Sequence, residues 1–477
     1  MQTESLPSEP EKAPLAPTPS EIAHADPDDE FPSSLRVGTL VYTRRGLLLL
    51  MSWLLWGDFA WQIRDRAAAP VAQLLLKRLH ASDFYVGLLL GSIPSALGLL
   101  IGPWLNTASD RFRSRMGRRI PFLLVPTPIA TASLIAMGFT PELGAGLAHA
   151  LGLPAHEIPA VRLGLFATLW ALFEITAVIT SGIFTALLND VVPHALLGRF
   201  FGAFRMISLL AGIIFNYWVI GHAAQEYRAI FVAIGLIYGA GVTLMCLRVK
   251  EGQYPPPAPL VRSARPNPLL AVLAYLRETF SRPYYVCIYA ALALTNMAFG
   301  PVNVFSLYYA QSIGMSTTLY GHLLALTYII SFCLAFGLGT LADRFHPLRV
   351  VIASTALYAL AALLGGVVAR TPPIFAVVFV AHGVLSGCVF TTIVPVAQRL
   401  FPRVRFGEFN SASGVVGALS FMIVPPIMGW VLDITGKLYR YTFLAGGFIA
   451  VLGLLMLLLV YRNFLARGGD AAYVPPE

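Results

Sequence analysis

Charged side chains are scarce in this chain of 477 residues: Asp, Glu, Lys and Arg make up 12% of it, and hydrophobic residues make up 57%. A soluble domain typically carries about 25% charged residues. This shortage of charge excludes a soluble enzyme and a disordered scaffold, and it predicts a chain that is mostly embedded in lipid.

Cysteine is also rare, and motifs for catalysis or metal binding are missing. The four cysteines (Cys246, Cys287, Cys333, Cys388) are far apart, and no CxxC or Cys/His pair has metal-ligand spacing. We therefore interpret them as small core residues. The sequence contains no phosphate-binding Walker motif and no catalytic triad signature. We expect no enzyme activity, no metal site, no cofactor and no ATP-driven pump.

The first 35 residues differ from the rest, with eight acids, seven prolines and a single base, Lys12. Such a segment has too little apolar surface to offset its chain entropy, so we expect a disordered acidic tail over 1–40. A signal or transit peptide would be basic here, and none is expected. The first hydrophobic segment would then direct membrane insertion itself.

Apolar stretches of about 20 residues, the length that crosses the hydrocarbon layer, recur along the chain. Such continuous runs predict helices, because barrel strands would be shorter and would alternate. We count twelve spans: 46–76, 84–108, 120–139, 161–189, 200–221, 228–247, 284–311, 318–341, 350–369, 373–397, 410–432 and 441–461.

The basic residues predict the orientation. Of the 33 lysines and arginines, 24 fall in the two tails and the even-numbered connections, and seven fall on the opposite side. By the positive-inside rule both termini are cytoplasmic. This explains the net charge of +9 without a nucleic-acid partner. We expect a monomeric multi-pass protein of a bacterial cytoplasmic membrane, in contact with lipid and a small-molecule substrate.

Internal repetition divides the chain into two halves. Ser109-Asp110-Arg111-Phe112 after span two is matched by Ala342-Asp343-Arg344-Phe345 after span eight, and Pro193-x4-Gly198-Arg199-Phe200 by Pro402-x4-Gly407-Glu408-Phe409. We predict six-helix bundles at 41–247 and 284–462, a cytoplasmic connection at 248–283 with an amphipathic helix from Leu269 to Phe280, and a cytoplasmic tail at 463–477. Two parallel six-helix repeats around a midplane cavity define the major facilitator architecture.

A longer motif surrounds the connection after span two: Gly98-x4-Pro103-x5-Ser109-Asp110-Arg111-x2-Ser114-Arg115-x-Gly117-Arg118-Arg119-x-Pro121-Phe122. Span one contains Phe59-x-Trp61-x8-Pro70-x2-Gln73-Leu74-Leu75. Both resemble the sugar–cation symporter branch of the major facilitators, which includes the plant sucrose–proton symporters and the glycoside–pentoside–hexuronide family. The arginine that sucrose symporters have eleven residues after an acid in span four is Thr185 here.

The resemblance implies roles for particular residues. Glu174 matches the span-four acid that takes up the coupling proton in sucrose symporters, and Gln73 belongs to the substrate-binding set of span one. Apart from the resemblance, a carboxylate beside arginines at a helix junction can form charge-assisted hydrogen bonds, so we predict a conformational latch centred on Asp110-Arg111, the pair that recurs in the second half. The alternative, above all for Arg115, is a solvated positive-inside loop. The candidate gating residues are Asp110, Arg111, Arg115, Gly117, Arg118, Asp190, Arg199, Asp343 and Arg344. Melibiose-type carriers place carboxylates within span two, where this chain has none. We therefore expect H+ as coupling ion, with Na+ as the alternative.

Charges left inside the spans are functional candidates, because an ionised group at the bilayer centre costs about 2.5–3.5 kcal/mol or more. Asp58, Trp61 and Asp65 have the spacing of one helix face. Carboxylates accept hydrogen bonds from sugar hydroxyls and an indole stacks on a sugar ring, so this face predicts proton or sugar binding. Arg64 is a candidate substrate residue and a candidate partner of Glu174. An alternative is an ion cluster that only holds a broken helix together.

Span seven predicts a second binding element. Asn296 and Asn303 are seven residues apart and flank Gly300-Pro301, which should interrupt the helix and expose a cavity-lining segment. The leading hypothesis is proton-coupled symport of a sugar or glycoside by alternating access. The alternatives are a carrier of a non-sugar solute or amphipathic lipid, and a transporter-like sensor.

Overall fold

The computed structural model describes residues 36–254 and 268–476, except for a few side chains within helices. Most of the predicted acidic tail (1–35) and the middle of the predicted connection (255–267) lie outside these residues. The described chain is almost entirely helical and forms two bundles. The helix ends that meet the arginine-rich connections are called inner ends below, and the opposite ends outer ends.

The first bundle contains spans 1 to 6. Their bounds are Arg44–Arg78, Asp83–Arg111, Ile120–Gly138, Ile158–Val191, His194–Ile214 continued by a π turn at Phe215–Val219, and Ala223–Arg248. Span 1 packs on spans 5 and 6, and spans 2 and 3 both pack on span 4. All six expected spans are confirmed as helices, and most run several residues past their apolar cores.

The second bundle contains spans 7 to 12. Their bounds are Pro283–Ser312, Thr317–Phe345, Pro347–Val368, Pro372–Leu400, Phe406–Ile434 and Tyr441–Ala466. Span 7 is broken between Met297 and Gly300, as Gly300-Pro301 predicts. The amphipathic helix before it is Pro268–Phe280. This is the all-α, two-bundle major facilitator fold that the repeats predict.

Spans 5 and 6 show how helix continuity can hide a reversal of direction. Eleven helical stretches of the described chain are long and apolar enough to cross a membrane, and one of them, 196–248, is 53 residues long. At 1.5 Å per residue it is far too long for one crossing. Its backbone leaves helical geometry at Glu226, and span 1 packs on both of its halves, so it crosses twice.

Some local structure departs from the expectations. Arg36–Val37 and Leu40–Val41 pair as a short antiparallel hairpin, so the boundary placed at residue 40 falls inside an ordered element. A helix at Thr140–Ala150 follows span 3 at the outer side. The C-terminal tail packs back on the second bundle, because Tyr473 Oη donates to the Leu400 carbonyl at 2.9 Å.

The two bundles touch mainly through spans 2 and 11 and through spans 5 and 8. Small residues allow the closest approach. A Cβ on Gly91 would lie 2.6 Å from Cβ of Pro425, and the Gly87 position is blocked by the backbone of Pro425. The Pro425-Pro426 pair therefore does more than bend span 11, since it also presents the surface on which span 2 packs.

Candidate functional site

The charged residues of span 1 lie near the middle of a helix of 35 residues. Thr43 begins this helix by accepting the amide of Gly46 at 3.0 Å, an ordinary N-cap. Asp58 is buried, and its Oδ1 accepts from Gln62 Nε2 at 3.1 Å, while Oδ2 has no hydrogen-bond partner within the described chain. A buried carboxylate with one unpaired oxygen is a binding or protonation candidate.

Arg64 lies inside the first bundle in a cage of aromatic rings from three spans. Its guanidinium carbon is 4.4 Å from the Trp61 ring centroid, 5.4 Å from that of Phe173 and 5.1 Å from that of Tyr238. Only 2% of the side chain is exposed, and Nε and Nη1 make no hydrogen bond with the described residues. Cation–π contacts therefore hold a cation whose hydrogen-bonding capacity is largely unused.

Two carboxylates stand beside this cation. Asp65 Oδ1 is 3.7 Å from Arg64 Nη2, and its side chain is 57% exposed although it lies at mid-span. Glu174 of span 4 is half-buried and lies within electrostatic range of both Arg64 and Asp65. An accessible carboxylate at this depth is a candidate for contact with a solute or a proton. Asp58, Arg64, Asp65 and Glu174 are called the midspan cluster below.

The predicted shared face of span 1 is realised in part. Trp61 is half-buried and stacks on Phe184 of span 4, with ring centroids 5.9 Å apart. Asp65 is exposed, whereas Asp58 is buried. Arg64 forms its ion pair with Asp65, at 3.7 Å. The expected partner Glu174 interacts with Arg64 at longer range, through its charge.

Arg66 contacts both bundles rather than the acids beside it. Its Nη2 donates to Ser208 Oγ at 2.8 Å, and its guanidinium carbon lies 5.3 Å from the Tyr328 ring centroid in span 8. A Cβ on Gly212 would lie 2.8 Å from Tyr328 Cε2. The glycine therefore leaves room for the ring to pack against span 5 at this junction.

In the second bundle, the broken span 7 carries the two predicted asparagines. Asn303 is exposed, and its amide Oδ1 lies 3.1 Å from His382 Nε2 of span 10. His382 Nδ1 is 3.1 Å from Tyr358 Oη, and that hydroxyl donates to the Ala298 carbonyl, at the helix break, at 3.1 Å. Asn296 instead donates to the Leu292 carbonyl of its own helix at 2.8 Å. Of the two predicted asparagines, Asn303 is therefore the better placed to contact a solute, because its side chain is exposed.

The outer ends are held together by a group not singled out in the sequence. Asp433 of span 11 accepts the backbone amides of Asp83 and Phe84, at the start of span 2, at 3.0 Å each. Tyr439 Oη donates to the Asp83 carboxylate at 3.0 Å, and Lys437 Nζ lies 3.5 Å from it. Asp83, Asp433, Lys437 and Tyr439 are called the outer clasp below.

Gln73 belongs to this outer contact and not to the midspan cluster. Its Nε2 donates to the Val304 carbonyl of span 7 at 3.2 Å, and its own carbonyl accepts from Tyr308 Oη at 2.5 Å. Lys77, one turn further along span 1, donates to Gln311 Oε1 at 2.7 Å. The structure therefore places Gln73 among the residues that close the outer side.

At the inner end, the predicted latch residues form a network within the first bundle. Arg118 holds Asp190 with two bonds of 3.0 and 2.7 Å, and Arg119 Nε donates to the same carboxylate at 3.0 Å. Arg119 also contacts Asp110 and Ser109. Paired arginine–carboxylate bonds of this kind are strong and directional. The partners of Asp110 are thus Arg119 and Arg118, not the adjacent Arg111 on which the latch hypothesis was centred.

Glu251 completes this network and was missed in the sequence. Its carboxylate accepts the backbone amides of Arg118, Arg119 and Ile120 at 2.9, 2.8 and 2.7 Å, which caps the start of span 3. Gly117 has a φ of +105°, and a Cβ there would collide with the Glu251 side chain. Glu251 was hard to find because it is the first acid of a connection with no recognisable motif.

Tyr254 lies beside the same network, with its ring centroid 4.0 Å from the Arg118 guanidinium carbon. Burial, with the negative charges of Asp190 and Glu251, raises the pKa of Tyr254 to about 12.

The remaining predicted gating residues differ from this network in their exposure. Arg111, Arg115, Arg199 and Arg344 are exposed, and the side chain of Asp343 lies outside the described residues.

Comparison with known proteins gives the fold a wider context. The family model described as Major Facilitator Superfamily matches residues 285–471, which is the second bundle. A bacterial homolog of the human lysosomal transporter Spinster, in an inward-facing and occupied conformation, has a TM-score of 0.65 at 14% identity, covering 92% of this chain and all of that one.

Two further structures are similar over both bundles. A D-xylose–proton symporter has a TM-score of 0.61 at 14% identity, covering 87% of this chain and 96% of that one. The nucleoside transporter NupG has a TM-score of 0.58 at 12% identity, covering 87% and 98%. At such identities the likeness establishes the fold and leaves the transported solute open.

Proposed function

We propose that this chain, a membrane protein of the major facilitator superfamily, is a secondary carrier that couples protons to the uptake of a sugar or glycoside. The observation that carries the proposal is the midspan cluster. It places Asp65 and Glu174 beside Arg64 and the half-buried indole of Trp61.

The chemistry of this cluster suits a hydroxylated solute. Carboxylate oxygens accept hydrogen bonds from hydroxyl groups, and the face of an indole packs on the apolar C–H face of a sugar ring. Asn303 supplies an amide from the opposite bundle. An amphipathic lipid, the alternative solute, would favour an apolar cavity without these charges.

Proton coupling follows from the balance of charge around Arg64. With Asp65 and Glu174 both ionised, one buried cation faces two anions, and protonation of one carboxylate leaves a neutral pair. Ions at this depth are costly unless paired. A proton that binds Glu174 therefore changes the charge balance of the cluster. Because the solute is proposed to contact Asp65 and Trp61 in the same cluster, proton binding and solute binding are coupled.

Alternating access is supported by where the bundles touch. The outer clasp, the Gln73 contacts and the close approach at Gly91 join the outer ends. The latch network of Asp110, Arg119 and Asp190 remains within the first bundle. This arrangement corresponds to a carrier closed at the outer side, from which solute and proton leave toward the inner side.

Reconstituted vesicles provide the primary test. The full-length chain in liposomes that contain a pH dye is exposed in turn to disaccharides, glucosides and uronides. We expect one class to acidify the interior as it enters with its proton. Repeating the measurement under a sodium gradient distinguishes Na+ coupling. A chain that binds one of these sugars but supports no counterflow of the labelled sugar would be a sensor, and the carrier proposal would fail.

The role of Glu174 is tested by Glu174→Gln with Glu157→Gln as its matched control. Glu157 lies in the exposed turn just before span 4, outside the midspan cluster. We expect Glu174→Gln to retain counterflow but lose accumulation driven by a pH gradient, whereas Glu157→Gln retains both. Full proton-driven accumulation by Glu174→Gln would contradict the assignment.

A further inference from the structure

Arg66 of span 1 does not stand alone at the junction of the two bundles, because Arg205 of span 5 lies beside it. Arg205 is eleven residues past the start of span 5 at His194, about 16 Å along the helix. It lies one turn before Ser208, the residue to which Arg66 Nη2 donates at 2.8 Å. The described groups within electrostatic range of Arg205 are Arg66 and Tyr328 of span 8. Arg66 and Arg205 are called the arginine pair below.

The arginine pair has no counter-charge within the described chain. Neither guanidinium forms an ion pair with a described carboxylate. Arg66 contacts the hydroxyls of Ser208 and Tyr328, at 2.8 and 3.5 Å, and its buried Nε makes no hydrogen bond with the described residues. Arg205 is exposed. Ions at mid-span without a partner are costly and mark functional sites, and a buried donor without a partner is a candidate for contact with a ligand.

The midspan cluster does not supply this counter-charge. Asp65 pairs with Arg64 at 3.7 Å, and Glu174 also interacts with Arg64. One bound proton makes these three residues neutral together. Asp58 is bonded to Gln62, and the charged residue within electrostatic range of it is Asp65 rather than an arginine. The two positive charges of the arginine pair are therefore left for a ligand.

A phosphate group suits two such arginines better than a hydroxyl or a single carboxylate does. At pH 7 a phosphate monoester carries about 1.5 to 2 negative charges and has three strong acceptor oxygens, which matches two cations. Guanidinium groups bind phosphate through paired hydrogen bonds from a planar fork. A carboxylate carries one negative charge and would leave one of the two cations without a partner.

We propose that the arginine pair binds the phosphate group of a phosphorylated sugar, which is then the solute of this carrier. Arg205 and Arg66 donate to the phosphate oxygens from the first bundle, and the Tyr328 hydroxyl donates from the second. Trp61, five residues before Arg66 and about 8 Å along span 1, packs on the sugar ring. This deepens the proposed function, on which it rests for the sugar and for the proton coupling.

A phosphate at this site would contact both bundles at once. The arginines belong to spans 1 and 5, whereas Tyr328 belongs to span 8, and its ring centroid lies 5.3 Å from the Arg66 guanidinium carbon. The full set of contacts exists only while these three spans are together at mid-depth. The phosphate group therefore gives the solute a different affinity for different arrangements of the bundles, which is the condition for a ligand to shift a conformational equilibrium.

Calorimetric binding to the full-length chain in phosphatidylcholine nanodiscs tests the proposal. The probes are glucose 6-phosphate, glucose 1-phosphate, glucose and inorganic phosphate. We expect at least one sugar phosphate to bind at least about tenfold more tightly than glucose and than inorganic phosphate, since a hydrogen bond to a charged group is worth about that factor or more. If neither sugar phosphate binds more tightly than glucose, or if inorganic phosphate binds as tightly as both, the proposal is overturned.

Arg205→Gln tests the site itself, because Arg205 makes no ion pair with the described residues whose loss would disturb the fold. We expect this variant to lose the preference for the sugar phosphate over glucose while its thermal unfolding temperature stays that of the wild type. Arg205→Lys keeps the charge without the planar fork and should retain part of the preference. Arg462→Gln is the control, because it removes one exposed positive charge near the inner end of span 12. An undiminished preference in Arg205→Gln, or the same loss in the control, would refute the proposal.

Two further arms distinguish other oxyanions. Glucuronate carries a carboxylate in place of the phosphate, and we expect it to bind more weakly than the preferred sugar phosphate; tighter binding of glucuronate would overturn the assignment to phosphate. Nanodiscs that contain phosphatidylglycerol offer a lipid phosphate instead. We expect sugar-phosphate binding to persist in them, and its loss would assign the arginine pair to lipid headgroups and overturn the proposal.

Transport then separates this proposal from the proposed function. A wild-type chain that accumulates a neutral disaccharide with protons but does not prefer a sugar phosphate retains the proposed function and refutes the role of the arginine pair. A chain that binds glucose 6-phosphate through Arg205 but takes it up without acidifying the vesicle interior supports the arginine pair, and the proton-coupled function fails.

Discussion

Replacing Asp433 by asparagine should weaken the outer clasp and shift the protein toward conformations open at the outer side. Asp433 accepts two backbone amides at the start of span 2, each at 3.0 Å, and these bonds join the two bundles. They exist only while the outer ends are together. Their loss therefore acts on the conformational equilibrium, whereas the folding of either bundle is little affected.

The size of the effect can be worked from the geometry. A hydrogen bond to a charged group contributes about 1.5–3 kcal/mol. Asp433 is 25% exposed and asparagine keeps one acceptor oxygen, so we take the lower value for one lost bond. About 1.5 kcal/mol corresponds to about a tenfold shift in the equilibrium.

The like charge of Asp83 opposes this effect, because neutralising Asp433 removes a repulsion. Tyr439 and Lys437 already hold the Asp83 carboxylate, at 3.0 and 3.5 Å. We therefore expect the lost amide bonds to decide the sign.

Spin-label distances measure the outcome. Labels at Leu151 and Arg370, at outer ends of different bundles, are introduced after replacement of the native cysteines. Asp433→Asn should raise the ratio of the long-distance to the short-distance population about tenfold. Glu142→Gln is the control, because Glu142 pairs with Arg228 at the outer side within the first bundle. Equal distance distributions in wild type and Asp433→Asn, or the same shift in the control, would refute the reasoning.

Two glycine substitutions test close approaches, with Gly198→Ala as their shared control because open space surrounds Gly198. Gly212→Ala would bring a Cβ to 2.8 Å from Tyr328, so we expect longer outer distances in the same spin-label experiment, although alanine favours the helix by about 0.5–1 kcal/mol. No change relative to Gly198→Ala would contradict this. Gly117→Ala, at a φ of +105° against Glu251, should cost about 1–2 kcal/mol and lower the thermal unfolding temperature. An unfolding temperature equal to that of the control would show that the inner network tolerates a side chain there.

Most of the fold could be predicted from the sequence, because a span is a local property. A run of about 20 apolar residues must be helical in lipid, and Gly300-Pro301 interrupts a helix wherever it occurs. The predicted break in span 7 is therefore confirmed. The hairpin at 36–41 and the helix at Thr140–Ala150 were missed, because neither is long and apolar enough to give such a signal.

The candidate site was predictable only where charge stands out against an apolar background. Arg64, Asp65 and Glu174 were found because ions are costly inside a membrane. Asp433 and Glu251 were missed because carboxylates at helix ends are common. Their roles come from the backbone amides that they accept at the starts of helices distant in sequence: Asp433 at span 2 and Glu251 at span 3. The motif around Asp110 was identified, but its bonding partner was not the adjacent arginine.

The sequence alone determined the number of spans, their division into two repeats and the few charges left in the membrane, since each follows from local composition and chain order. Only the tertiary structure decided which helices meet and which side chain reaches which partner. It placed Gln73 in the outer contact, assigned Arg119 to Asp110, and joined Asn303 to His382 across 79 positions of the chain. Hydrogen bonds act over about 3 Å. A pattern of residue types cannot specify such distances, so they come from how the bundles pack.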